Sequence, residues 1–130
     1  MIGSIGSRGR RGRDLTYEDL LIVPYKENGR DENGMDCYGL VLECCERAGT
    51  PIPDIVYGND SATLPEYIRA LNVQEIGFPV KGAILQCTLD GDLHIGYLID
   101  KKTCLHMTYS GVRVTPIAAL KNKRYFEVIA

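Results

Sequence analysis

No run of apolar residues in this chain approaches the roughly 18 that a membrane-crossing helix requires, so no membrane insertion is expected. The start, Met1 to Arg13, lacks the apolar h-region of a secretory signal peptide. The expectation is synthesis in the bacterial cytoplasm, with something else carrying or releasing the protein if it acts outside. Paired CxxC spacing is also missing: the five cysteines stand at Cys37, Cys44, Cys45, Cys87 and Cys104, and the two histidines are His94 and His106. That pattern supplies no structural zinc site, and an odd number of cysteines leaves at least one sulfur outside any internal disulfide. Such usage suits a reducing compartment.

What is present fits one soluble globular domain, since 130 residues with 45% apolar and 25% charged content cover a single substantial core. Charge divides the chain unevenly. Residues 1–13 hold Arg8, Arg10, Arg11 and Arg13 and no acid, for a formal charge of +4, and glycines stand between the arginines. This leader reads as a flexible or vector-derived tail, with a contact arm for nucleic acid or a partner protein as the other reading. Residues 14–130 carry 11 basic and 17 acidic side chains, a formal charge of −6, which is a poor match to a phosphate backbone.

The most informative stretch is MDCYGLVLECCERAGTPIPD. Cys37, Leu40, Val41, Cys44, Cys45 and Ala48 recur at the spacing of a buried helical face, while Glu43, Glu46 and Arg47 fall on the wet side. Asp36 suits the N-cap, Gly49 the left-handed terminus, and Pro51 blocks continuation. Upstream, a short helix is expected around Tyr17 to Leu21, then extended chain at Pro24-Tyr25 and a polar loop, RDENG. Another short helix is expected from Pro65 to Leu71. After Pro79 the period changes to two. VKGAILQCTL, LHIGYLI, TCLHMTY, VRVTPI and RYFEVI, separated by turn-forming residues, read as an antiparallel meander on which the helix packs.

Alternation places His94, Gly96 and Leu98 on one face of their strand, and Cys104, His106 and Thr108 on one face of the next. If the two strands are neighbours, both imidazoles face the same way, and the expected direction is toward the helix. A thiol in the first turn of a helix is favoured as the thiolate by the dipole and by backbone N–H groups. A histidine opposite can complete an ion pair and protonate a leaving amine, and a third polar group fixes the ring tautomer. Cysteine is also a favoured core residue, so spacing alone leaves an unspecified small domain open beside a thiol hydrolase.

The run PYKENGRDENGMDCYGLV, from Pro24 to Val41, resembles the nucleophile segment of the NlpC family of cell-wall cysteine peptidases. LHIGYLI resembles that family's histidine strand, and LHMTYSGVRVTPI its third-residue strand. The nearest likeness is to the small phage tail versions, and it covers about residues 15–128. The resemblance implies an α+β, papain-like fold, with N-terminal helices packed on a small antiparallel sheet over residues 14–130. It implies Cys37 as nucleophile, His94 as general base and acid, and His106 as the residue that orients His94. Tyr25, Asp36 and Tyr38 would support substrate or oxyanion, and the Cys37 backbone N–H would serve as an oxyanion donor. Two positions depart from the family pattern: Gly82-Ala83 stands where Gly-Asp is usual, and Tyr38 where secreted members carry serine, which implies a narrowed cleft.

The implied activity is hydrolysis of an amide in peptidoglycan stem peptides, of the γ-D-glutamyl to diamino acid type, with no metal and no cofactor. Implied partners are the stem peptide and phage tail tip proteins, and the implied location is the virion tail or delivery to the cell wall. A non-catalytic tail assembly or binding protein on the same fold is the alternative. Nucleic-acid binding through the leader fits the acidic body least.

Overall fold

The computed structural model describes residues 15–54 and 71–129, together with the backbone of residues 9–10. The helix expected from Pro65 to Leu71 lies outside these residues except for Leu71, and the leader does so except for Gly9–Arg10.

The main helix, α1 (Cys37–Ala48), begins and ends where its sequence dictates. Asp36 is the N-cap, in extended conformation, and its side chain accepts from the Gly39 N–H. Such a cap satisfies one of the orphan donors of the first turn and is worth about 1 kcal/mol. At the other end Gly49 takes φ 82°, which a residue without a Cβ adopts at little cost, and its N–H returns to the Cys45 and Glu46 carbonyls. The segment expected to be helical around Tyr17 to Leu21 is instead a short 3-10 turn, Glu18–Ile22, in which Leu20 alone is buried. One buried side chain holds too little apolar contact to sustain an α-helix, and Val23 is already extended ahead of Pro24.

The remaining elements are strands. β1 (Gly9–Arg10), β4 (Val73–Ile76), β5 (Ile84–Leu89), β6 (Asp92–Asp100), β7 (Thr103–Thr108), β8 (Gly111–Pro116) and β9 (Lys121–Ile129) form one sheet in the order β1-β9-β5-β6-β7-β8, with β4 also on β9. Every pairing in it is antiparallel. β2 (Arg30–Asp31) and β3 (Gly34–Met35) make a separate small hairpin ahead of α1. The β5–β6 connection is Asp90–Gly91 with φ of 52° and 85°, a two-residue turn whose positive dihedrals match the twist of the strands it joins. The molecule is thus an α+β domain with one substantial helix packed against a multi-stranded antiparallel sheet.

The two faces of the sheet serve different cores. Ile84, Ile95, Tyr97, Leu105, Met107, Phe126 and Val128 cluster with Leu40, Val41, Cys44, Cys45 and Ala48 of α1. On the other face Leu85, Cys87, Leu98 and Cys104 pack with Ile117 and Leu120. His94 and His106 alternate with the first set and therefore share the second face. The expectation that the histidines face the helix is corrected: the bulky apolar positions of β6 and β7 take the helix side, and the imidazoles take the reverse.

Gly96 marks where this second face is tightest. A Cβ there would collide with the Cys104 sulfur and stand 3.0 Å from both the His106 Cβ and the Leu105 carbonyl. Gly96→Ala is expected to destabilise the fold by about 1–3 kcal/mol in urea unfolding. Because the collision is with one sulfur, Cys104→Ala should cost less in the Gly96→Ala background than in the parent.

Candidate functional site

The histidines stand on adjacent strands at the end of the sheet where β6 begins and β7 ends. Their register, with Tyr97 opposite Leu105 and Leu98 opposite Cys104, lets the two rings meet across the strands. His94 Nε2 lies 2.9 Å from His106 Nδ1, and the rings are edge-on, with centroids 5.0 Å apart and planes at 75°. His106 Nε2 lies 2.8 Å from the Thr115 Oγ1, so three side chains on β6, β7 and β8 form one hydrogen-bonded chain.

Both rings are enclosed, with 7% of His94 and 3% of His106 exposed. Desolvation pushes His94 down from 6.5 to about 4, helped by the neighbouring His106. His106 is also lowered, by desolvation first and then by the Arg113 guanidinium, whose residue is its cross-strand partner. A linked pair of neutral imidazoles can leave one His94 nitrogen, Nδ1, with a lone pair able to take a proton.

Cys37 opens α1 and is half-buried. Two links tie it to this end of the sheet. Its proximity contributes to raising the Cys87 thiol, behind the larger effect of burial, and Cys87 is the cross-strand partner of His94. It also contributes to raising the Tyr25 phenol, where burial is again the largest cause. Tyr25 bridges to Met35 immediately before the helix. Its ring meets that of Tyr109 in a T-shaped contact, at 4.8 Å between centroids, and Tyr109 lies just beyond β7 with 76% of its surface exposed.

Asp36 and Tyr38, expected to support substrate or oxyanion, are both buried. Asp36 is 3% exposed, and its carboxylate accepts from Gly39 N at 2.7 Å, Arg30 Nη1 at 2.9 Å and Asn28 N at 2.9 Å. Those donors hold it inside the fold as a cap. Tyr38 is fully buried, with Arg30 over its ring and its hydroxyl donating to the Pro53 carbonyl. The chain after α1 therefore covers Tyr38, whereas Cys37, one residue earlier, lies nearer the surface.

Sequence reasoning did not single out Arg30, Tyr109 or Thr115. Arg30 was legible only as part of a polar loop, yet it joins Asp36 to Asp54, with contacts of 2.9 Å to each. Thr115 shares a strand face with Arg113, and only the β7–β8 register, with Cys104 opposite Thr115, brings it to His106. Among the described residues no group of three or more His, Cys, Asp or Glu side chains is arranged to hold a metal ion, and no helix is long and apolar enough to cross a membrane.

The five thiols differ in environment. Burial pushes Cys45 and Cys104 up to about 12 and Cys87 up to about 11, and raises Cys44 strongly. With alkylating reagent at neutral pH, Cys37 is expected to be modified first and the other four slowly in the folded protein. Peptide mapping by mass checks this, and faster labelling of Cys104 would count against it.

His94 also makes stability depend on pH. Its folded value lies below its unfolded one, so the unfolded chain binds the extra proton. The contribution is complete above 6.5 and is lost as pH falls toward about 4. At about 1.4 kcal/mol per pKa unit the total is about 3 kcal/mol, and His106 acts in the same direction. Urea titrations across this window should show a loss of stability that is smaller in His94→Gln.

The chain matches no family model and no curated protein.

Proposed function

We propose that this chain is a papain-like cysteine endopeptidase of the NlpC kind, which hydrolyses the amide between D-glutamate and a diamino acid in peptidoglycan stem peptides as part of a phage tail. The observation that carries the reading is the enclosed His94–His106 pair, linked Nε2 to Nδ1 at 2.9 Å, in a chain whose half-buried Cys37 opens a capped helix. The motif DCYGLV, followed by HIG and LH in that order, supplies the substrate class.

On this reading Cys37, which packs on the helix side, and His94, on the reverse face, meet around the end of the sheet, where His94 Nδ1 takes the thiol proton and the thiolate attacks the amide carbonyl. The Cys37 backbone N–H, at the helix N-terminus, donates to the oxyanion. Collapse of the tetrahedral adduct breaks the C–N bond, and the imidazolium gives its proton to the departing amine. A ring that burial holds near 4 in the unliganded site is a willing donor once the thiolate charge has been consumed. Water, deprotonated by His94, then hydrolyses the thioester. His106 accepts from His94 Nε2–H throughout, which fixes the ring and supports its charge.

Digestion of purified muropeptides, with products identified by mass, tests the reading. Cys37→Ala is expected to abolish cleavage while circular dichroism reports an intact fold, and His94→Ala to be nearly as damaging. His106→Ala should lower kcat by about tenfold or more with little change in KM. His106→Asn should retain more activity, because the amide oxygen can stand where Nδ1 accepts; His106→Gln should also exceed the alanine variant. A parent protein that binds muropeptides without cleaving them would replace this reading with a binding role in the tail.

A further inference from the structure

We propose that Thr115 is a positioning residue for the histidine pair: its hydroxyl, accepting from His106 Nε2–H, holds both imidazoles in the tautomers that leave His94 Nδ1 able to act as a base. The catalytic consequence rests on the peptidase reading above, whereas the tautomer assignment stands on the hydrogen-bonded chain and on the cost of leaving a buried N–H without an acceptor.

With both rings neutral, the chain His94–His106–Thr115 can be protonated in two ways. In one, His94 Nε2–H donates to His106 Nδ1 and His106 Nε2–H donates to Thr115 Oγ1, at 2.9 Å and 2.8 Å. His94 Nδ1 then carries a lone pair. In the other, the Thr115 hydroxyl donates to His106 Nε2 and His106 Nδ1–H donates to His94 Nε2. His94 Nδ1 then already bears a proton and cannot take one from a thiol. The two arrangements use the same heavy-atom positions, and only the first supports proton abstraction.

Thr115 favours the first arrangement by supplying an acceptor. Without the hydroxyl, the first arrangement leaves a buried N–H unpaired at His106 Nε2, whereas the second leaves a lone pair there and moves the N–H to His94 Nδ1, which is not a buried atom lacking a partner. Orphaned donors are tolerated less well than under-used acceptors, so removal of the hydroxyl shifts the balance to the second arrangement. The first arrangement is also the one required once His94 is protonated, because an imidazolium donates from both nitrogens. Arg113, opposite His106, opposes a positive charge on that ring, which keeps the charge on His94. The signal sits in VRVTPI, where Thr115 and Arg113 share the face that meets His106.

The experiment uses the full chain with 15N-labelled histidine at neutral pH, read by long-range proton–nitrogen correlation. In the parent, both His94 and His106 are expected as Nε2–H tautomers. In Thr115→Val, close to the parent in shape, His106 should move toward Nδ1–H, and Thr115→Ser should restore the parent pattern. With a stem peptide, Thr115→Val should lower kcat by about tenfold with KM changed less than about twofold, and Thr115→Ser should stay near the parent. A parent His106 in the Nδ1–H form would overturn the proposal. So would a Thr115→Val protein with the parent's ring pattern, or a Thr115→Ser protein that fails to recover it. If the parent cleaves no muropeptide, a ring pattern that switches in Thr115→Val still upholds the tautomer assignment, and the peptidase reading alone is lost.

Discussion

The carboxylate of Asp36 is the point on which the front of the molecule turns. It is buried at the junction of three segments, and its two oxygens take the Gly39 N–H, the Arg30 guanidinium and the Asn28 N–H. A buried carboxylate is costly unless its lone pairs are met, so these donors must converge for the helix to start where it does. Asn28 adopts φ 60° in the loop that delivers its N–H. Gly39 is required for the same closeness, because a Cβ at that position would run into the Gly29 carbonyl. Cys37 inherits its position from this arrangement: it is the first residue after the cap.

The sheet solves a different problem, which is to hold polar rings and a large apolar core within the thickness of one strand layer. Alternation along β6 and β7 does so by sending Ile95, Tyr97, Leu105 and Met107 toward α1 and the imidazoles to the reverse. Each imidazole is then met by another polar group, so the pair meets the requirement that buried polar atoms be bonded. Gly96 belongs to the same solution. Its missing side chain makes room for the Cys104 sulfur and for the backbone beneath His106.

Much of this was legible because local signals and tertiary structure agree. Asp36, the apolar spacing from Leu40 to Ala48 and Gly49 specify α1 to the residue, and the Asp90–Gly91 turn specifies the β5–β6 hairpin. Sequence failed where a residue's role depends on what crosses it from a distant segment. The burial of Tyr38 comes from Pro53 and Arg30, which cover it. The histidines' common face was readable from parity, but which face α1 covers is decided by bulk on both sides of the sheet. β4 was missed because Val73–Ile76 is short and carries only two apolar residues, so its pairing with β9 comes from the partner more than from its own pattern. Thr115 is a register effect, invisible until β7 and β8 are aligned.

The edge contact between Tyr25 and Tyr109 joins the segment that leads into α1 to the turn that leaves β7. The chain has eight tyrosines and no tryptophan, so tyrosine emission has no indole to drain it by energy transfer. Tyr109, largely exposed and edge-on to Tyr25, whose phenol feels the half-buried thiol, therefore contributes emission that depends on this contact. Anything that slides between the two rings changes quenching at that spot, and occupancy can be followed by light without attaching a dye.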